Sequence, residues 1–257
     1  FILIGGGGYL KSNFPTSTGT TFDFDNEFFR MLKKPSLWSS LGGIDKYSKG
    51  LPKFLKLLVE NKATDIFLRF DGSIEEIKLI EPSLNINLMH DAAFFNVISS
   101  KNKKQNIVIN IGGDQIQTLK NSHELETEIL NRAFHFLEQG YKINLVSHVF
   151  NDIYYLGKLA KKLGEKARYN ISITQLDHSP KGYSNIENVY RNSSLVFAGR
   201  FHSHISGLIS NADVISIYPS SKVNFMYKAL NISPTTLTSS SRGYSTHLNK
   251  KCIEKIN

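Results

Sequence analysis

The amino-acid sequence predicts an α/β protein of two lobes, each organised around a mainly parallel sheet. Short apolar, β-branched runs alternate with stretches whose apolar residues recur at three- and four-residue intervals, the pattern of successive βα units. A polar segment from Phe95 to Asn106, containing Ser99-Ser-Lys-Asn-Lys-Lys-Gln105, interrupts that alternation and reads as a linker. The charge balance changes at the same place: residues 1–100 carry 11 basic and 11 acidic side chains, residues 101–257 carry 20 and 11. These observations divide the chain into an N-terminal lobe, 1–100, and a basic C-terminal lobe, 101–257.

Taken in order, the first candidate strand is Phe1–Ile4, which reads as the middle of a buried strand, so the N-terminal lobe is expected to be incomplete. Further strands are expected at Ile66–Phe70, Ile86–Met89, Ile107–Ile111, Ile143–Val146, Ile171–Ile173, Leu195–Ala198 and Val214–Tyr218. Helical periodicity marks Glu27–Leu32, Leu51–Glu60, Glu126–Gln139, Ile153–Leu163, Ser203–Ser210 and Val223–Leu230. The tail beyond Ser241 reads as a loosely attached helix.

Composition narrows the possibilities. With 257 residues, 40% hydrophobic and 21% charged, the chain suffices for one large domain or two of about 100–150 residues. Its longest apolar runs, such as Leu195–Ala198, fall far short of the roughly 20 residues that span a bilayer, and no basic-then-apolar leader opens it, so a soluble protein is expected. The single cysteine, Cys252, can form neither an intramolecular disulfide nor a thiolate metal knot. The net charge of +9 suits anionic ligands. Lys101-Asn-Lys-Lys104 and Lys158 to Lys166 lack interleaved aromatics and read as a loop and a solvated helix face, which argues against nucleic acid.

Three clusters could carry chemistry. Gly5-Gly-Gly-Gly8 follows a strand, so the backbone at Gly6, Gly7 and Gly8 can approach a ligand closely; a structural turn is the competing reading. Ile66-Phe-Leu-Arg69-Phe-Asp71-Gly-Ser73 is a strand ending in an arginine and an acid, with a serine suited to capping a helix. An Arg69–Asp71 ion pair is the structural alternative. The third cluster is Leu195-Val-Phe-Ala-Gly199-Arg200-Phe-His202-Ser-His204 followed by Val214-Ile-Ser-Ile-Tyr218-Pro-Ser-Ser221-Lys222. If the two strands are parallel neighbours, Arg200, His202 and Lys222 share one sheet edge beside two helix N-termini, a setting for a small polyanion. The helix terminus is expected to depress the pKa of His202, as suits a proton-transfer residue. His204, two residues on, is expected to pack or to face solvent, and His90, His123, His135, His178 and His247 read as structural. His148, with Asp152, forms a second-tier polar strand end.

These pieces, in this order, resemble the polysaccharide pyruvyltransferase family. The resemblance runs from about residue 1 to residue 232 and rests on Ile2 to Gly8, Leu68-Arg69-Phe-Asp71 with Ser73, Met89-His-Asp91-Ala-Ala-Phe94, His148 with Asp152, and above all Arg200-Phe-His202 with Tyr218-Pro-Ser-Ser-Lys222. It implies two Rossmann-like lobes similar to the GT-B glycosyltransferase architecture, with an active cleft between them. It also implies transfer of pyruvate from phosphoenolpyruvate to form a ketal on a glycan or lipid-linked sugar. Under this reading His202 acts as acid or base and Lys222 neutralises the departing phosphate. Arg69, Arg200, Ser221 and His148 bind the donor, and Gly6, Gly7 and Gly8 form a backbone loop. No metal or organic cofactor enters the scheme, and a cytoplasmic location at the inner face of a membrane follows where the acceptor is lipid-linked. Gly207 stands where an alanine is more usual in the family, a departure expected to be harmless. A GT-B-like nucleotide-sugar glycosyltransferase and a catalytically silent glycan-binding protein are the alternatives.

Overall fold

A computed structural model of the chain describes residues 2–5, 36–42, 51–60, 65–96, 105–116, 119–164, 170–177 and 179–237. Two compact units emerge, one of Phe1–Ala92 with Asn224–Ala229 and one of Ala93–Val223 with Leu230–Asn257. Both are built on parallel sheets flanked by helices, a mixed α/β architecture. The Gly6, Gly7 and Gly8 loop, the helix expected at Glu27–Leu32, most of the Phe95–Asn106 linker, His178 and the tail with His247 and Cys252 lie outside the described residues.

In the N-terminal unit four parallel strands stand in chain order: β1 (Ile2–Gly5), β2 (Ser36–Leu41), β3 (Asp65–Arg69) and β4 (Ile86–Met89). Helices α1 (Leu51–Glu60) and α2 (Ser73–Ile80) connect the later strands. Trp38, Leu55, Leu58, Ile66, Leu68, Ile77 and Leu84 form one core, in which period-2 residues of β3 meet helical-period residues of α1. β1 has β2 as its one neighbour among the described strands, and Leu3 is 64% exposed, so this strand is not buried throughout as its apolar sequence suggests. Strand β2 was not expected, because three serines break its apolar run. Ser40 explains one of them: it is fully buried with φ of 59°, and its Oγ accepts a hydrogen bond from the Ala92 N–H at 2.8 Å.

The C-terminal unit contains β5 (Asn106–Asn110), α3 (Gly113–Ile116), α4 (Ser122–Glu138), β6 (Lys142–Ser147), α5 (Phe150–Leu163) and β7 (Ile171–Gln175). The chain continues through α6 (Pro180–Arg191), β8 (Leu195–Ala198), α7 (Phe201–Ile209), β9 (Asp213–Ser216), the start of α8 (Ser221–Ala229) and β10 (Thr235–Thr236). All six strands are parallel, in the order β10-β9-β8-β5-β6-β7. The chain therefore builds outward from β5 through β7, returns to pair β8 against the other side of β5, and builds outward again. That reversal between β5 and β8 is the doubly wound arrangement, whose ligand crevice opens beyond the carboxyl ends of the two central strands.

The central strands are apolar along their length, as a sheet covered on both faces requires. Ile107, Ile109, Leu145, Leu195, Phe197 and Ile215 join Ile129, Leu156, Leu159 and Leu163 from α4 and α5 in one core. Helix α6 was not marked by apolar spacing because it buries few side chains, chiefly Ile186 and Tyr190. Its start follows capping chemistry: Ser179 Oγ accepts from the Gly182 N–H at 3.1 Å, and Pro180 occupies the first turn. Gly207 lets α7 lie close on the sheet. A Cβ there would stand 2.6 Å from Val214 Cγ2 and 3.3 Å from Val196 Cβ, so the departure at this position is matched to its strand neighbours.

Candidate active site

The carboxyl edge of the C-terminal sheet is assembled from β5 outward. Asn110, the last residue of β5, is fully buried and uses both ends of its amide. Its Nδ2 donates to the Val146 carbonyl at 2.8 Å, and its Oδ1 accepts from the Arg200 N–H at 2.8 Å, so one side chain ties β5 to β6 and to the turn after β8. The next link is Tyr218, whose hydroxyl accepts from the Gly112 N–H at 2.7 Å and ties the end of β9 to the loop after β5. Gly199 makes room for that ring: a Cβ there would stand 2.7 Å from the Tyr218 hydroxyl and 2.8 Å from the Asn110 carbonyl.

Arg200 caps α7 with extended backbone, and its guanidinium turns to Asp152 in the first turn of α5. Nη2 lies 2.5 Å from Asp152 Oδ1 and Nε 3.3 Å from Oδ2, a two-toothed pair across the point where the strand order reverses. Asp152 is fully buried. Its oxygens also accept backbone N–H groups from Gly113 at 3.3 Å, His148 at 3.3 Å and Val149 at 3.4 Å. The carboxylate thus fixes three things together: the glycine turn after β5, the start of α5 and the arginine. Two of the five donors of the guanidinium fork are used in this pair.

His148 follows β6 directly, and its Nε2 lies 2.8 Å from the hydroxyl of the fully buried Tyr190. Burial, together with the positive charges of His202 and Arg200, pushes its pKa down to about 3, so the ring is neutral near neutral pH. His202 and Arg200 thus each lie within electrostatic reach of His148. His202 is exposed in the first turn of α7 with its ring 5.6 Å from that of Phe201, whereas His204 is buried and its pKa is pushed down to about 3 by desolvation. Because β8 and β9 are parallel neighbours, with Ala198 opposite Ser216, the starts of α7 and α8 lie on one edge. Ser221 is exposed and Lys222 half-buried in the first turn of α8.

Arg69 is in the other unit, and its surroundings are of a different kind. It is 4% exposed, with Nε 2.9 Å from Asp71 Oδ2 and Nη1 2.9 Å from Asp91 Oδ2. The ion pair named as the structural alternative is therefore present, and a second carboxylate joins it. Nor does Ser73 cap α2 with its side chain; Gly72 occupies the cap, and the Ser73 N–H donates to Asp71 Oδ1 at 3.1 Å.

Sequence reasoning passed over Asn110 and Tyr190 and ranked Asp152 low. The available signal was Asn110-Ile-Gly-Gly113, a strand running into paired glycines as the Leu195 strand runs into Gly199. Among the described residues no group of three or more His, Cys, Asp or Glu is placed to hold a metal ion, and no helix is long and apolar enough to cross a membrane.

No curated protein and no solved structure matches the chain. The model of one family, described as polysaccharide pyruvyl transferase, matches residues 1–221 of the 257, a span that takes in Asn110, Asp152, Arg200 and His202 and ends one residue before Lys222. The chain belongs to the polysaccharide pyruvyl transferase family.

Proposed function

We propose that the chain transfers pyruvate from phosphoenolpyruvate to two hydroxyls of a sugar in a polysaccharide or glycoconjugate, forming a cyclic ketal, and that the carboxyl edge of the C-terminal unit holds the donor. The observation that supports this most is the Arg200–Asp152 pair at the reversal between β5 and β8, with His148 beside it and the helix turns that carry His202 and Lys222 on the same sheet edge. Phosphoenolpyruvate carries a carboxylate and a phosphate, and cations beside helix N-termini suit both.

In this reading Arg200, anchored by Asp152, binds an anionic group of the donor, with Ser221 and His148 adding hydrogen bonds. His202 protonates the methylene carbon, one sugar hydroxyl adds to the adjacent carbon, and the carbon–oxygen bond to phosphate breaks with Lys222 neutralising the leaving group. The second hydroxyl then closes the ketal. Of the two hydroxyl protons, one restores His202 and the other leaves with phosphate, so the scheme balances without metal or cofactor. We take Arg69, enclosed by Asp71 and Asp91, as a strand-end clamp rather than a donor contact. The loop at Gly6, Gly7 and Gly8 remains part of the proposal, as do the GT-B-like pairing of Rossmann-like lobes and a cytoplasmic reaction at a membrane face on a lipid-linked acceptor. Incubation with phosphoenolpyruvate and a panel of sugar acceptors tests the reading. Phosphate release together with an acceptor gaining the mass of a pyruvate ketal is expected; a glycosylated acceptor formed from a nucleotide sugar, with no pyruvyl adduct, would refute it.

A further inference from the structure

The donor scheme gives no role to the outer face of α5. Phe150 opens that helix 79% exposed, Tyr154 follows one turn later 68% exposed, and Val149 just before them is 45% exposed. Large apolar side chains left in water at neighbouring places mark a surface that something covers. Residues four apart on a helix are surface neighbours, so the two rings stand side by side, with the exposed amide of Asn151 flanking Tyr154. Lys158, a further turn on, holds its Nζ 4.3 Å from the centroid of the Tyr154 ring and steadies that ring from one side.

The place of these rings relative to the edge follows from helix geometry. The buried face of α5 carries Asp152, Leu156, Leu159 and Leu163. Phe150 and Asp152 are two residues apart, which turns them to opposite sides of a helix. The rings therefore lie about a helix diameter, roughly 10–12 Å, from the Arg200–Asp152 pair. That is the reach of a sugar chain and not of a single sugar. Membership of the polysaccharide pyruvyl transferase family implies a polymeric acceptor, and a chain with one unit at the edge has further units to place. A sugar presents C–H groups on its faces and hydroxyls on its rim. The faces suit aromatic rings and the rim suits a planar amide, the combination at Phe150, Tyr154 and Asn151. Two rings beside an amide are a small apolar face for anchoring to a lipid surface, which takes a whole helix side.

We propose that Phe150 and Tyr154 form a stacking surface for a sugar unit of the acceptor chain distal to the one that reacts. Its distal placement rests on the reading that the reacting sugar lies beside Arg200; sugar binding by the two rings does not.

Electrophoresis of the folded protein through native gels containing galactan, galactomannan or β-glucan tests the surface. These polymers are neutral, so the basic charge of the chain cannot retard it. The wild type should be retarded in at least one gel, with apparent affinity falling about 3- to 10-fold in Phe150→Ala and in Tyr154→Ala. Phe150→Tyr and Tyr154→Phe should keep it. Phe134→Ala, which removes an exposed ring near the end of α4 that leads to the amino end of β6, should also leave it unchanged. A wild type retarded in no gel overturns the proposal, as does a double alanine variant retarded like wild type. Sedimentation of the wild type with phosphatidylglycerol vesicles, lost in the double variant and without gel retardation, would assign the face to a membrane and overturn it too. Among acceptors that gain the ketal, the double variant should raise KM for a polymer and not for the matching nitrophenyl sugar; equal loss on both overturns the distal placement. Gel retardation that depends on the rings in a protein giving no calorimetric heat with phosphoenolpyruvate would remove the donor reading and leave the sugar surface standing.

Discussion

His202 and Lys222 both occupy first helical turns on one edge, yet the proposed chemistry asks different things of them. His202→Gln retains a hydrogen-bonding group but cannot deliver a proton, so turnover should fall by about 10²–10⁴ with donor affinity kept within a few fold. Lys222→Ala removes charge and should weaken donor binding as well as slow the reaction. Phosphate release and donor binding measured on both variants decide the matter; near-normal turnover in His202→Gln would remove that residue from the mechanism. Asp152 accepts three backbone N–H groups and pairs with Arg200. Asp152→Asn keeps the shape but leaves Arg200 without its carboxylate, and should cost about 3 kcal/mol of stability together with at least tenfold in kcat/KM. Wild-type kcat/KM in that variant would show that Arg200 needs no anchor. Asp152 was visible in the sequence as an acid near a strand end, but its burial was not. Periodicity reports apolar faces, and a carboxylate that is buried because it collects three N–H groups and an arginine leaves no apolar trace.

At the scale of elements, the strands β3 to β9 lie within two residues of where apolar runs placed them, whereas α4, α5, α7 and α8 begin two to four residues before their apolar pattern does. Three of the missed first turns hold Asp152, His202 and Lys222, polar residues that apolar spacing does not mark. Helix α7 supplies two tests. Gly207→Ala gains helix propensity worth about 1 kcal/mol but drives a methyl into Val214, so net destabilisation of about 1–2 kcal/mol is expected. Adding Val214→Ala should make the alanine at 207 favourable in a double-mutant cycle. Additive effects of the two changes would place the strain elsewhere. The second test concerns acid. His148 and buried His204 have folded pKa values near 3, below the ordinary value of 6.5, so the unfolded chain binds their protons first as pH falls. Stability from these groups is complete above pH 6.5 and is lost toward pH 3, at up to about 1.4 kcal/mol per pH unit for each. Denaturant titrations at pH 7 and pH 5 should show that loss, and His204→Gln should flatten it. An unchanged slope would mean that His204 titrates normally.

For the whole molecule, local pattern could show that strands and helices alternate, but not the order in which the strands pair. The return of β8 to β5 brings together residues about 90 positions apart, Asn110 and Arg200, and no periodicity carries that information. What the sequence did carry was the repeated grammar of strand, turn and polar first turn, and the excess of positive charge in residues 101–257. We propose that this basic edge holds phosphoenolpyruvate through Arg200. Calorimetric titration of the wild type and of Arg200→Lys with phosphoenolpyruvate, with a nucleotide-sugar titration alongside, is the test. The wild type should bind phosphoenolpyruvate and not the nucleotide sugar, and the lysine variant, which keeps the charge but loses the planar fork, should bind about 1–3 kcal/mol more weakly. Equal phosphoenolpyruvate affinity in the two proteins, or heat with the nucleotide sugar alone, would contradict the claim.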